Sequence, residues 1–140
     1  MPQSEQLRLI RLWKGIGILF IFAAFILSLG PDVVTPSGIP HIDKVIHASS
    51  YAGLTFWFLL VYPRRLYWRI AVGFVVMGAM IEVLQYFIPY HKAEVNDAIA
   101  NTIGVTTGWL LTLTPLGGVL AWVDGQLARL WDLPGVRNGK

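Results

Sequence analysis

Four long apolar stretches constrain the fold of this chain more than any other feature. They cover residues 15–29, 45–62, 70–90 and 98–123, and the first and last hold no charged residue. A helix needs about 20 mostly apolar residues to cross a bilayer. Inside lipid only helices and closed barrels satisfy every backbone polar group, and a barrel is built from many short alternating segments. The stretches therefore predict an all-α fold with four transmembrane helices.

The fourth stretch is too long for one simple span. Pro115 followed by Gly117 and Gly118 predicts an end or a kink, and the residues beyond have the pattern of an amphipathic helix lying at the membrane interface. We predict a single domain over residues 1–140, a four-helix transmembrane bundle with a C-terminal interfacial helix. The predicted spans are about 12–30, 43–62, 69–90 and 97–115, and the interfacial helix is about 118–132.

The first stretch has an alternative interpretation as a signal peptide. Arg8, Arg11 and Lys14 would be its basic region, and residues 28–30 resemble a cleavage site. Pro31 would follow the cut, where proline is unfavourable, and three more apolar stretches follow. We therefore predict a retained helix.

Composition and charge support the membrane assignment. Hydrophobic residues make up 55 % of the chain and charged residues 14 %, whereas a soluble domain has about 25 % charged residues. The net charge is +3, but the basic residues form short clusters between apolar stretches, so we predict no nucleic-acid partner. The chain has no cysteine, which excludes disulfides and thiolate metal sites.

The distribution of lysine and arginine predicts the orientation. Nine of the eleven basic residues flank the start of the first span, the turn between the second and third, and the end of the fourth. The other side has Lys44 and Lys92 alone. Because cytoplasmic flanks carry the excess of positive charge, we predict a multi-pass protein of the bacterial inner membrane with both termini in the cytoplasm.

In this predicted topology, polar residues of three helices lie near the outer membrane surface. They recur at spacings of three or four, so those of each helix share a face. Ionisable residues inside a membrane usually mark function, so we predict a ligand-binding site here. The predicted site residues are Asp43, Lys44, His47, Tyr51, Glu82, Gln85, Asp97 and Asn101.

Glu82 is the deepest of these residues, and three local expectations follow from the pattern. An ionised carboxylate in a membrane needs a partner, access to water or a raised pKa, and Lys44 and His47 are the candidate partners because they enter from the same side. Asn96 is placed to cap the fourth helix. Gly104 and Gly108 continue the Asp97–Asn101 face as a small-residue stripe that lets another helix approach closely.

The simpler interpretation is that the polar residues are only structural. The aspartates would then be helix-start residues, and Gln85 and Asn101 would be hydrogen-bonding residues between helices. A zinc site from His41, His47 and other residues lacks the close ligand spacing that zinc helices show, so we predict no metal and no cofactor. Phosphate-loop and nucleophile-elbow motifs are absent from the sequence.

Three sequence blocks resemble the VanZ-like membrane family. They are Asp43-Lys44-Val45-Ile46-His47 with Tyr51, Glu82 to Phe87, and Asp97 to Gly104 with Gly108 continuing, which are similar to the family's D-K-x-x-H-x-x-x-Y, E-x-x-Q-x-F and D-x-x-x-N-x-x-G segments. The resemblance covers residues 41–111. One position departs from it: His91, followed by Lys92, stands where the family commonly has arginine, and neither residue reproduces the bidentate fork of a guanidinium.

The resemblance implies a role at the cell envelope, because the family is named for a protein associated with low-level resistance to teicoplanin, a lipoglycopeptide. We expect a site that binds or modifies a membrane lipid or another lipid-linked or amphiphilic envelope molecule, with Lys44 attracting its anionic part. One alternative is a membrane-embedded enzyme with His47 or Glu82 as general base. A small transporter is the other, but transport requires a site near the midplane, and the polar residues lie outward of it.

Overall fold

The computed structural model describes residues 7–30, 41–89 and 94–131, and within these ranges it is helical with no strand. This confirms the predicted all-α class. The five α-helices are α1 (Ile10–Leu29), α2 (Ile42–Val61), α3 (Tyr67–Tyr86), α4 (Val95–Leu111) and α5 (Val119–Trp131). Short 3-10 turns at Arg64–Leu66 and Pro115–Gly118 precede α3 and α5.

Two of the helical segments are long and apolar enough to cross a membrane, Ile10–Leu29 and Arg64–Tyr86. A third candidate arises if α4 and the segment Pro115–Trp131, which are bent by 75° at the break, are counted together. The α2 helix is as long as α1, at 20 residues. Its first two turns, however, hold Asp43, Lys44 and His47, which lower its apolar character.

Helix α3 ends four residues before the predicted boundary at residue 90. Its last helical residue is Tyr86, and Phe87 and Ile88 form a turn whose N–H groups bond back to Leu84 and Gln85. Proline disfavours the helical conformation of the residue before it. Pro89 therefore ends this helix inside the apolar stretch.

Helix α4 begins two residues before its predicted start at residue 97 and ends four residues before its predicted end at residue 115. It begins at Val95 after an extended Glu94, with no side-chain cap, so the predicted cap by Asn96 is wrong. At its other end the Thr112 and Thr114 hydroxyls donate to the carbonyls of Trp109 and Leu111, at 2.6 and 2.7 Å. These bonds use the last carbonyls of the helix, which lack partners within it, and the chain then bends at Pro115.

Helices α2 and α4 run parallel in close contact along their small residues. A Cβ atom placed at Gly104 would meet the Ala48 carbonyl and lie 2.9 Å from the Tyr51 Cβ. One placed at Gly108 would likewise meet the Ala52 carbonyl. The glycine stripe therefore faces α2, which confirms the predicted close approach of another helix at this stripe.

Helices α1 and α3 run antiparallel to α2, so the chain reverses direction at each connection. At one end of the molecule the start of α1, the end of α2 and the start of α5 share an apolar cluster of Leu7, Trp13, Leu60, Val61 and Leu120. At the opposite end lie the last turn of α1, the first turns of α2 and α4 and the last turns of α3. The predicted site residues lie toward this second end.

Candidate functional site

Lys44 is the centre of an ion cluster formed by the first turns of α2 and α4. Its Nζ lies 2.7 Å from Asp43 Oδ2 and 2.6 Å from Glu94 Oε2, and it also pairs with Asp97 Oδ1. An ammonium group has three hydrogens to donate, and here it faces three carboxylates. We call Asp43, Lys44, Glu94 and Asp97 the ion cluster. Since the charge of Lys44 is already matched within the protein, this residue does not offer a free cation to an anionic ligand.

Glu94 belongs to this cluster, although it was not among the predicted site residues. It precedes α4 rather than lying on a helix face, so helical spacing does not identify it. The available signal was its position three residues before Asp97, since residues just before a helix and in its first turn point toward the same helix end.

The three carboxylates of the ion cluster each bring an oxygen within 4.8 Å of the others. Such a set resembles a divalent-cation site by composition. Lys44 lies among these oxygens and supplies positive charge there. The arrangement is therefore an ion-paired cluster centred on a lysine.

Below the ion cluster, His47 and Asn101 join α2 to α4. The His47 Nδ1 lies 3.1 Å from the Asn101 Oδ1, and because an amide oxygen only accepts, Nδ1 carries the donated hydrogen. Asn101 is 1 % exposed. This bond leaves Nε2 of a neutral His47 as the unprotonated ring nitrogen.

Asn101 and Tyr51 also meet at Gly78 of α3. A Cβ at Gly78 would lie 3.1 Å from Asn101 Nδ2 and 3.3 Å from the Tyr51 hydroxyl. Both polar atoms are buried and have no hydrogen-bond partner among the described residues. An unpaired buried donor costs about 1–3 kcal/mol, so the helices retain these groups here at the expense of stability.

Glu82 lies one turn beyond Gly78 on α3 and is 9 % exposed. Its Oε2 accepts the backbone N–H of Glu94 at 3.2 Å, and its Oε1 is buried without a partner among the described residues. Among the described residues, no hydrogen bond or ion pair joins Glu82 to Lys44 or His47, the two candidate partners that the sequence indicated. The parallel register of α2 and α4 instead sets Lys44 beside Asp97 and His47 beside Asn101.

Gln85 serves a different helix. Its Nε2 donates to the carbonyl of Ser28 in the last turn of α1, at 2.8 Å. Carbonyls in the last turn of a helix lack partners within it. Gln85 therefore ties α3 to α1, and only its Oε1, which is buried and unpaired among the described residues, remains for another group.

Seven of the eight predicted residues form two groups, and Gln85, which bonds to α1, belongs to neither. Asp43, Lys44 and Asp97 join Glu94 in the ion cluster, and Glu82 connects to that cluster through the Glu94 N–H. Asn101 and Tyr51 form a buried polar layer against Gly78, and His47, which is half-buried, bonds to Asn101. His91 and Lys92 lie outside the described residues.

Apolar grooves lie beside this site on α4. One groove, of about 430 Å³, follows α4 and is called the outer groove. It is lined by Val95, Ala98, Ile99, Thr102, Ile103, Thr106 and Thr107. Another of about 360 Å³ runs between α3 and α4, past Val75, Val105 and Trp109. The outer groove begins at Val95, the residue that follows Glu94.

At the opposite end of the molecule, Asp124 of α5 fastens the start of α1. Its carboxylate accepts the backbone N–H groups of Arg8 at 2.7 Å and Leu9 at 2.9 Å, and the Trp13 indole N–H at 2.7 Å. Burial alone would raise the pKa of Asp124, but the hydrogen bonds from Trp13, Leu9 and Arg8 outweigh it and lower the pKa below its ordinary value. The carboxylate thus caps α1 from another helix.

The amphipathic pattern of residues 118–132 implies that Asp124 lies on the polar face of the interfacial helix, whereas the structure shows it 2 % exposed. The overlooked signal is its spacing: Leu120 and Ala128, four residues to either side, are both buried. Residues four apart share a helix face. An acid between two apolar residues of one face indicates a buried carboxylate with donors opposite.

Fold and site together define a class: an all-helical protein with helices apolar enough to span a membrane and a charged site at one end. A family model described as VanZ/LLP1 matches residues 5–120. The chain therefore belongs to the VanZ/LLP1 family, and the resemblance seen in the three sequence blocks is confirmed. No curated protein and no solved structure matches it.

Proposed function

We propose that this protein crosses the bacterial inner membrane four times, with both termini in the cytoplasm, and that its outer site binds or modifies a cell-envelope molecule. The observation that carries the proposal is the buried Glu82, whose Oε2 bonds the Glu94 backbone while its Oε1 is unpaired among the described residues. An acid at such a position is costly, and in membrane proteins such residues are usually functional.

The helix directions support the four-span topology. Helices α1 to α4 alternate in direction, and the start of α1 and the start of α5 lie at the same end. That end also holds the arginine-rich turn between α2 and α3. An excess of Lys and Arg favours the cytoplasmic side, so the ion cluster at the other end would face outward.

The unpaired polar atoms support a ligand site rather than a purely structural cluster. Tyr51, Asn101 and Glu82 each bury a polar atom without a partner among the described residues. Buried polar groups in stable proteins are almost always hydrogen-bonded. A hydroxyl or amide of an envelope molecule entering between α2, α3 and α4 would satisfy these atoms and would recover the energy lost by burying them.

The test compares cells that express the wild-type chain, Glu82→Gln and Asp97→Asn at equal membrane levels. The readouts are mass spectrometry of envelope lipids and peptidoglycan, and susceptibility to teicoplanin. We expect both variants to lose the changes that the wild type produces, while the control Gln126→Ala, at an exposed position of α5, retains them. Full retention of the wild-type effect in both variants would contradict the proposal.

A membrane-embedded enzyme acting on a lipid-linked envelope substrate is the second candidate, and the His47–Asn101 bond favours it. By fixing the hydrogen on Nδ1, this bond leaves Nε2 as a general base, which catalysis by histidine requires. The same mass spectra separate the two: an enzyme produces a new covalent species that is lost in His47→Gln, whereas a binding protein changes only amounts.

A further inference from the structure

The outer end of the molecule carries an excess of negative charge. Residues assigned to that end by the predicted topology include five of the eight acids of the chain and two of its eleven basic residues, Lys44 and Lys92. Within the ion cluster, a single lysine faces three carboxylates. Asp43 and Glu94 leave 41 % and 45 % of their side chains exposed. The cluster therefore presents carboxylates outward while its one cation is enclosed.

The buried carboxylate of Glu82 adds an independent observation. It is 9 % exposed and lies directly under Glu94, whose backbone N–H it accepts. Its Oε1 is unpaired among the described residues. An acceptor oriented beneath an already acidic cluster favours a ligand that brings hydrogen-bond donors, and a positive charge strengthens such bonds.

The outer groove of α4 begins close to this cluster in the chain. It starts at Val95, next to Glu94, and extends to Thr107, roughly 18 Å along the helix at 1.5 Å per residue. The hydroxyls of Thr102, Thr106 and Thr107 donate to carbonyls of their own helix at 2.8–3.0 Å, so the groove presents methyl groups and apolar side chains. Such a wall suits an acyl chain running down from a headgroup at the ion cluster.

We propose that the site selects an amphiphile whose headgroup carries a protonated amine, with its acyl chain in the outer groove of α4. This inference rests on the proposed function, that the site takes an envelope amphiphile. The amine would donate to the carboxylates of Glu94, Asp43 and Glu82. An anionic headgroup lacking an amine would meet like charges and find Lys44 already paired.

The experiment uses the full chain in phosphatidylcholine vesicles with a trace of lipid spin-labelled on one acyl chain. The labelled lipid is either phosphatidylethanolamine or phosphatidylglycerol with identical chains, and electron paramagnetic resonance measures the fraction immobilised by the protein. We expect the wild type to associate at least threefold more strongly with phosphatidylethanolamine. The double variant Asp43→Asn/Glu94→Gln should bring that ratio close to one.

A groove variant tests the place of the acyl chain. Ile103→Trp fills the outer groove and should reduce the immobilised fraction of both lipids. The control Leu19→Trp adds the same side chain at an exposed position of α1 that lines neither of the two grooves, and should leave that fraction unchanged.

The outcomes distinguish this inference from the proposed function. An equal or greater preference for phosphatidylglycerol that still depends on Ile103 and the ion cluster would overturn amine selection while leaving an amphiphile site. If neither the groove variant nor the double variant changes the immobilised fraction of either lipid, both the amine selection and the proposed amphiphile site are overturned. Amine preference lost in the double variant, with chain immobilisation lost in Ile103→Trp, supports both.

Discussion

Adding one methyl group at Gly104 should separate the two helices that hold the candidate site. A Cβ there would lie 2.9 Å from the Tyr51 Cβ and would also meet the Ala48 carbonyl. Carbon atoms pack best at about 3.5–4.0 Å, so α4 must move away from α2 by roughly 0.6 Å or more. The same movement lengthens the His47–Asn101 hydrogen bond, now 3.1 Å.

The expected cost of Gly104→Ala combines these effects. Overpacking a close contact costs about 1–3 kcal/mol, and a weakened hydrogen bond adds about 1 kcal/mol. The greater helix propensity of alanine returns about 1 kcal/mol. We therefore expect a net destabilisation of about 1–3 kcal/mol.

Gly53 provides the matched control on α2. It is helical, and a Cβ there would meet no atom within 4 Å. Gly53→Ala should therefore stabilise the fold by about 0.5–1 kcal/mol through helix propensity alone. The free energy of unfolding, measured in mixed micelles with increasing denaturing detergent and followed by tryptophan fluorescence, should separate the two variants by about 2–4 kcal/mol. If Gly104→Ala unfolds no more easily than Gly53→Ala, the close contact between α2 and α4 is wrong.

Two further predictions concern the buried charges. Asp124→Asn should lower the unfolding free energy by about 2–4 kcal/mol at pH 7, because an amide cannot accept the hydrogen bonds of Arg8, Leu9 and Trp13 with both atoms. Since folding lowers the pKa of Asp124, the contribution of its carboxylate to stability is present above about pH 4 and is lost as the pH falls through the folded-state pKa. The unfolding free energies of the wild type and the variant should therefore converge in acid, and a difference that stays constant with pH would contradict the carboxylate's role. Lys44→Met should destabilise the fold by about 1–3 kcal/mol, because it leaves carboxylates unpaired. In a double-mutant cycle, adding Asp97→Asn should restore part of that lost stability. Strictly additive losses would show that the two residues do not interact.

The helices could be predicted because their signals are local. Apolar stretches of about 20 residues indicate helices whatever surrounds them, and Pro115 with the following glycines indicated the bend before α5. The glycine stripe at Gly104 also identified the face of α4 that meets α2, since close approach requires small residues at a spacing of four. The end of α3 was missed because the apolar stretch continues past the proline that stops the helix.

Membership of the site could be predicted better than its pairing. Helical spacing identified Lys44, Glu82 and Asp97, but which carboxylate reaches which cation depends on the rotation and register of packed helices. The parallel register of α2 and α4 places Lys44 level with Asp97, and the Glu94 backbone rather than a cation meets Glu82. These contacts depend on how the helices pack against one another, which residue spacing within a single helix does not determine.

The proposed outward orientation of the site can be tested most directly by cysteine accessibility, because the chain has no cysteine of its own. Single cysteines are introduced at two exposed positions at opposite ends, Asn96→Cys beside the ion cluster and Arg65→Cys in the turn before α3. Intact spheroplasts are then treated with a membrane-impermeant maleimide. We expect labelling at position 96 in intact spheroplasts, and at position 65 only after the membrane is permeabilised. Labelling at 65 in intact spheroplasts, with 96 protected until permeabilisation, would place the site in the cytoplasm and contradict a role in binding an envelope molecule from outside.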